Sequence, residues 1–373
     1  MSTQIHEAAA RLRDAIREAT DGLINREHLA ELLILAAVSQ EHLLVIGPPG
    51  TGKSAVVRRV AQSLGGRYFE YLLGRFTEPS ELFGPVNLSK LREGLVETDV
   101  TGMLPEADIA FLDEVFLGST AILNTLLGVL NERQFRRGHT HIRCPMRVCV
   151  GAANALPDDE GLAAFADRFL LHVFVDAVPD AKLEDLLEGG WQVGQRRVAP
   201  RAELASLDAL NHAVPMVDLS LVRGDLAHAI RQLRQANILL SDRRIVKSQQ
   251  LIAAATVLAG RQTATRADLW PLVYVVPTAA GQQSARETLR ELLAEARHPL
   301  LQAVVEAAVQ QPLARVARLN EAADRLLGEA RTDGFRGTAE ALLREIDANF
   351  SAGTLPPDLA PRRAQLVAAV QQA

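Results

Sequence analysis

The octapeptide GPPGTGKS at residues 47–54 directly follows the apolar run LLVI and leads into a helical stretch that starts near Ala55. It satisfies the spacing G-x-x-x-x-G-K-[ST], and a strand before it with a helix after it is the context that such a loop requires. The loop therefore leaves the carboxyl end of a strand, which in an open parallel sheet is where ligands bind. Gly47, Gly50 and Gly52 let successive backbone N–H groups turn inward around phosphate oxygens, where a side chain would block close approach. Pro48, Pro49 and Thr51 complete the loop, and the following helix N-terminus adds its dipole. Lys53 is expected to reach the β- and γ-phosphates of ATP, and the Ser54 hydroxyl to ligate Mg²⁺.

Four more short apolar runs follow, each separated from the next by a helical stretch. With the first, they are HLLVIG (42–47), RYFEYLL (67–73), DIAFLDE (108–114), RVCVGAA (147–153) and LLHVFVD (170–176). Runs that are apolar throughout, rather than alternating, predict strands covered on both faces. INREHLAELLILAAVSQ, ahead of the first run, reads as an amphipathic helix. After residue 180 the β signal fades. Helices broken by GG, Pro200 and Pro215 fill 181–278, and Ala-, Leu-, Arg- and Glu-rich helices broken at Pro299, Pro312, GFRG (334–337) and LPP (355–357) fill 279–373. The predicted organisation is an α/β nucleotide-binding core over 1–180, a helical lid over 181–278 and a helical C-terminal region over 279–373. Trp191 and Trp270 read as packing residues of the lid.

DIAFLDE ends in two adjacent acids at the carboxyl edge of its strand. Asp113 is placed to complete the Mg²⁺ shell, directly or through water. Glu114 points to where water would attack the γ-phosphate, as general base or as water orienter. Asn154 closes the fourth run, so its amide is expected between the loop and Glu114. Arg168 precedes the fifth strand, far from its own phosphate loop. It either reaches a neighbouring subunit's site to neutralise transition-state charge, or pairs at the surface with Asp167.

A net charge of −5 excludes a bulk basic surface, and with it the simplest nucleic-acid reading. The opening MSTQIHEAAARLRDAIREA is polar and helical rather than a signal sequence. No run of about 18 apolar residues offers a membrane span, so the expected compartment is the cytoplasm. Cys144 and Cys149 are expected to be reduced core thiols. Arg133, Arg136 and Arg137 form a short basic cluster that either lines a pore or flanks a solvated strand.

The combination GPPGTGKS, TEPSELFGPV (77–86), GMLPEADIAFLDEVFLGSTAILNTLLGVLNERQFRRG (102–138) and AANALPDDEGLAAFADRFLL (152–171) resembles the MoxR family of AAA+ ATPases, closest to its RavA branch. The resemblance covers about residues 1–275. It implies an AAA+ P-loop core with a five-stranded parallel sheet, an all-α lid, and a homo-oligomeric ring, typically a hexamer, with ATP at the subunit interfaces. On this resemblance Lys53 and Ser54 are Walker A, Asp113 and Glu114 are Walker B, Asn154 is sensor 1, and Arg168 is the arginine finger acting in trans. The segment LSDRRIVKSQQLIAAATVLAGR (240–261) matches the sensor 2 region. Arg243 or Arg244 would then contact the γ-phosphate of its own subunit, although an N-cap by Ser241 or Asp242 explains part of that pattern. An insertion before Walker B corresponds to residues 83–108, where Gly94 and Gly102 suggest a hairpin on a helical stem. In one respect the chain departs from RavA proteins: its C-terminal residues look helical, without strand signal for a β-rich insertion.

The resemblance implies a remodelling ATPase whose partner carries a von Willebrand A (vWA) domain and whose client is an unidentified protein. The competing readings are a DNA-associated motor or loader, and a scaffold that ATP only holds together.

Overall fold

The protein is described from a computed structural model over residues 2–193, 204–309 and 358–372, with scattered positions between 319 and 356. Two compact units are present: Met1–Asp176 with Arg196–Val309, and Ala177–Gln195 with Gln310–Ala373.

Among the described residues the first unit has seven strands: β1 (Leu43–Ile46), β2 (Tyr68–Leu72), β3 (Ile109–Asp113), β4 (Gln134–Arg137), β5 (Thr140–Arg143), β6 (Val148–Ala153) and β7 (Leu171–Phe174). Five of them form one parallel sheet in the order β2-β3-β6-β1-β7, and these are the five predicted runs. Alternate residues of the central strands feed separate cores. Leu43 and Val45 pack into one core with α1 (Ser2–Thr20), α2 (Glu27–Ser39) and α3 (Lys53–Leu64), whereas Leu44 and Ile46 join Ile122, Leu126 and Phe165 on the other face. Burial on both faces is why these strands carry no polar alternation. α2 departs from the amphipathic expectation: every residue from Leu29 to Ser39 is buried, so it is a central helix, apolar nearly all round. Both cysteines are buried free thiols, which burial pushes up to about 11 (Cys144) and about 12 (Cys149).

The insert at 83–108 closes as a hairpin through the antiparallel Val86–Thr98 bridge, with the short helix Leu88–Arg92 at its tip. A second hairpin, β4–β5, docks on it. The His139 N–H donates to the Val96 carbonyl (2.8 Å), and the Thr98 N–H donates to Thr140 Oγ1 (2.7 Å). This hairpin dissolves the predicted basic cluster. Arg133 turns inward, donating to the carbonyls of Met146 and Gln40, and Arg137 donates to the Gly84 carbonyl, which leaves Arg136 beside Glu132.

The predicted lid contains helices at Leu204–Ala213, Arg223–Gln235 and Asp242–Leu258 within the first unit. Trp270 is fully buried against Tyr274 as a packing residue. Trp191 is not: it lies on the helix Leu183–Val193 of the second unit and is 76% exposed. The second unit has its own apolar cluster, with Leu319, Phe335, Ile346 and Leu366 among its members, and a helix at Ala360–Gln372. The helical expectation for 310–318 and for most of 321–357 lies outside the described residues. Among the described residues no helix is long and apolar enough to cross a membrane.

Candidate active site

The loop at 47–54 leaves β1 at the carboxyl edge of the sheet. Gly47 is required by close approach: a Cβ there would stand 2.1 Å from the Val175 carbonyl oxygen at the end of β7. Gly50 and Gly52 hold left-handed φ values of 78° and 79°, which turn the loop around an open centre. Thr51 closes it by donating from Oγ1 to the Pro48 carbonyl (3.0 Å). Lys53 is buried and folded onto its own loop, donating to the carbonyls of Gly47 (2.6 Å) and Pro48 (3.0 Å). Burial lowers its pKa, opposed by the nearby carboxylates of Asp113 and Glu114. Ser54 follows in the first turn of α3.

On the neighbouring strands the structure brings three of the predicted residues together. Asp113 ends β3, and its Oδ1 accepts the Glu114 N–H (3.0 Å). Glu114 holds φ 49°, an uncommon left-handed conformation for a residue with a side chain, which turns it away from the strand direction. Asn154 follows β6, and its Nδ2 donates to Glu114 Oε1 (2.6 Å). The cradle, a cation, a hydroxyl and two carboxylates therefore share one edge, a donor set suited to a nucleoside triphosphate with Mg²⁺. Among the described residues no three His, Cys, Asp or Glu side chains form a metal cage. Mg²⁺ on a nucleotide needs none, since it binds through one or two protein oxygens plus phosphates and water.

The three predicted arginines are not at this edge. β1 and β7 run parallel with Leu43 beside Leu171 and Ile46 beside Phe174, so Arg168 lies at the amino edge, a strand length of roughly 13 Å from the loop. Asp167, its predicted surface partner, is bonded instead to Arg244 (2.6 Å). The helix Asp242–Leu258, N-capped by Ser241, docks at the same edge. Contact between a lid arginine and the γ-phosphate of its own chain is therefore corrected. Arg244 is 2% exposed and bonded to the carbonyls of Phe169 (2.9 Å) and Leu170 (3.0 Å), on the wrong side of the sheet. Arg243 donates from Nη2 to Asn131 Oδ1 (2.7 Å) and stands near Arg168. Burial, and then the Arg168 cation, hold its pKa below the usual value. Arg168 Nε and Arg243 Nη1 are buried without a hydrogen-bond partner. Buried donors without a protein partner are met by ordered water or by an acceptor from outside the chain.

Sequence reasoning missed Arg26, which precedes α2. Its guanidinium joins the phosphate loop to the end of β7, donating from Nε to the Thr51 carbonyl (2.7 Å) and from Nη2 to the Asp176 carbonyl (2.9 Å). A single arginine in a polar turn carries no pattern that could have flagged it.

A family model described as the MoxR domain in the MoxR-vWA-beta-propeller ternary systems matches residues 10–212, and an AAA lid domain model matches 222–289. That description names a ternary system and not the RavA branch expected above. An uncharacterized protein of Methanocaldococcus jannaschii is 32% identical over 262 residues, 69% of each chain. The chaperone MoxR1 of Mycobacterium tuberculosis is 26% identical over 168 residues, 44% of each chain. A crystal structure from Cytophaga hutchinsonii superposes with a TM-score of 0.59 at 17% identity, over 79% of this chain and 97% of that one, a likeness of fold. With its core and lid both matched, the chain belongs to the MoxR family of AAA+ ATPases.

Proposed function

We propose that this chain hydrolyses ATP with Mg²⁺ as one subunit of a ring, six subunits in the usual AAA+ manner, and uses turnover to remodel a client protein or assist maturation of a complex. A vWA-domain partner is part of the proposal, supported by the ternary system that the matched family model describes. The matched lid model supports a lid between the core and the C-terminal region.

One observation carries the reading. The phosphate loop, Asp113, Glu114 and Asn154 share the carboxyl edge, while Arg168 and Arg243 stand at the amino edge with buried guanidinium nitrogens that lack an acceptor. A site divided in this way is completed when the amino edge of one subunit meets the carboxyl edge of the next. Ser54 and Asp113 would hold Mg²⁺, which when bound neutralises charge between the β- and γ-phosphates. Lys53 exchanges its two loop carbonyls for phosphate oxygens. Glu114, held by the Asn154 amide, orients the attacking water and takes its proton. Arg168 and Arg243 of the neighbour balance the charge that develops on the γ-phosphoryl oxygens.

ATPase rate per subunit, measured against protein concentration with Mg²⁺ and no partner, tests this. The rate should climb steeply with concentration. A trans arginine is worth roughly 10³–10⁵ in rate, so Arg168→Ala should abolish turnover, leave nucleotide binding intact, and poison wild-type assemblies when mixed in. A rate that stays flat down to monomeric concentrations would sink the reading.

A further inference from the structure

The Arg244 guanidinium spends all five of its N–H groups. Nε donates to Asp167 Oδ1 (2.6 Å), Nη1 to the carbonyls of Leu170 (3.0 Å) and Val275 (2.5 Å), and Nη2 to the Phe169 carbonyl (2.9 Å) and to His172 Nε2 (3.0 Å). Arginine offers five donors in a rigid fork, so this one has none left for a phosphate. The fifth bond defines the histidine. Nε2 accepts from Arg244, so the ring proton sits on Nδ1 and donates to the Pro277 carbonyl (2.8 Å). Burial, and then the Arg244 charge, lower the His172 pKa to about 4, which keeps the ring neutral and able to accept. The contact of Nε2 with the Ala166 carbonyl (3.3 Å) is then not a hydrogen bond.

Three of the five acceptors bracket Arg168: the Asp167 carboxylate before it, and the carbonyls of Phe169 and Leu170 after it. The Arg168 backbone N–H donates to the Phe165 carbonyl (3.0 Å), closing the turn after the helix Glu160–Ala166. Arg243, the residue before Arg244, leaves the same turn of the helix Asp242–Leu258, so Arg168 and Arg243 hang from one clamp. Two like charges would otherwise drift apart.

We infer that Arg244 is a positioning residue, which holds Arg168 and Arg243 as a half-exposed pair at the amino edge and ties that pair to the lid helix Asp242–Leu258. The inference rests on the divided site proposed above. It makes lid movement in one subunit a movement of the cations that serve its neighbour's nucleotide.

The test uses full-length chains carrying Arg244→Lys or Asp167→Asn. Lysine keeps the charge but cannot span five acceptors. Asn at 167 weakens the clamp from its half-exposed end and keeps the fold should the buried substitution fail. A misplacement of about 1 Å can cost ~10²-fold, so each variant ring should turn over 10–100-fold slower, with unchanged affinity for a fluorescent ATP analogue. Each is then mixed with Glu114→Gln chains, whose own sites are dead but whose arginines are intact. Mixing should restore turnover at the variants' own sites, as it should for Arg168→Ala chains run in parallel. A slow variant that mixing does not rescue, while Arg168→Ala is rescued, places the defect within its own site and overturns the inference. So does full activity of Arg244→Lys or Asp167→Asn alone. An Arg168→Ala ring that is not slowed overturns the divided site itself, a different outcome.

Discussion

Replacing Arg26 with methionine should loosen the phosphate loop while still filling the space of the arginine stem. The guanidinium makes three hydrogen bonds to carbonyls, of which the one to Asn25 is local and those to Thr51 and Asp176 join the loop to the end of β7. A hydrogen bond from a charged donor contributes about 1.5–3 kcal/mol net, so the two long-range bonds carry ~3–6 kcal/mol of restraint. Part of that is offset. Burial lowers the Arg26 pKa against the raising pull of Glu27 and Asp176, so the charge is held at a desolvation cost that the substitution removes. The Thr51 carbonyl, half-buried, can also take up water once the loop loosens. A net loss of ~2–3 kcal/mol is therefore expected, equivalent to roughly 30–150-fold in nucleotide affinity if the loop must be re-ordered at binding. Titration with a fluorescent ATP analogue in Mg²⁺ measures the affinity, and a urea melt of the same variant measures the fold. Affinity within about threefold of wild type, with the whole loss in the melt, would refute the reasoning, since a tenfold change is only ~1.4 kcal/mol. Arg26 would then cement α2 to β7 and do nothing for the loop.

Glu114→Gln keeps an oxygen for the Asn154 amide but removes the carboxylate, so phosphate release should fall ~10²–10⁴-fold while ATP stays bound; turnover within tenfold of wild type, by phosphate release, would exclude Glu114 as the base. Glu31, buried on α2, accepts the Val304 N–H (2.8 Å) at the start of the helix Gln302–Val309. Burial raises its pKa from 4.5 to about 7, against the hydrogen bonds from Val304 and Ala303. A carboxyl whose folded pKa is raised contributes stability that is full below the unfolded value and is lost as pH rises through about 7, up to ~3 kcal/mol here. Glu31→Gln, which keeps an acceptor without the charge, should therefore gain melting temperature over wild type at pH 8 and not at pH 4.5. An equal effect at both pH values in thermal melts would contradict the assignment.

What could be read along the chain, and what could not, divides by how local the determinants are. Four of the five sheet strands were legible because burial on both faces writes an apolar run into each, whereas the half-buried edge strand β2 was legible from its aromatic-rich run YFEYL. The phosphate loop and the Asp113–Glu114 pair were legible because each is joined to the end of its own strand, and a strand end in a parallel sheet has one address. β4 and β5 were not, since Gln134–Arg137 and Thr140–Arg143 are half-exposed and polar and are braced by the insert at Val96 and Thr98, some 40 residues earlier. Spacing likewise could not assign Arg243 and Arg244, because their place depends on where one helix docks across the sheet. The register of β7 on β1 then decides the matter: a helix bonded to the carbonyls of Phe169 and Leu170 is anchored at the amino edge. From that edge neither arginine can serve its own loop, and of the two only Arg243, beside Arg168, retains a donor without an acceptor. The residues proposed to bind nucleotide are thus specified within single strand–loop units, whereas those proposed to act on a neighbour's nucleotide are specified only by tertiary docking. A substitution at that docking surface should for this reason leave nucleotide binding unchanged and impair the subunit next door.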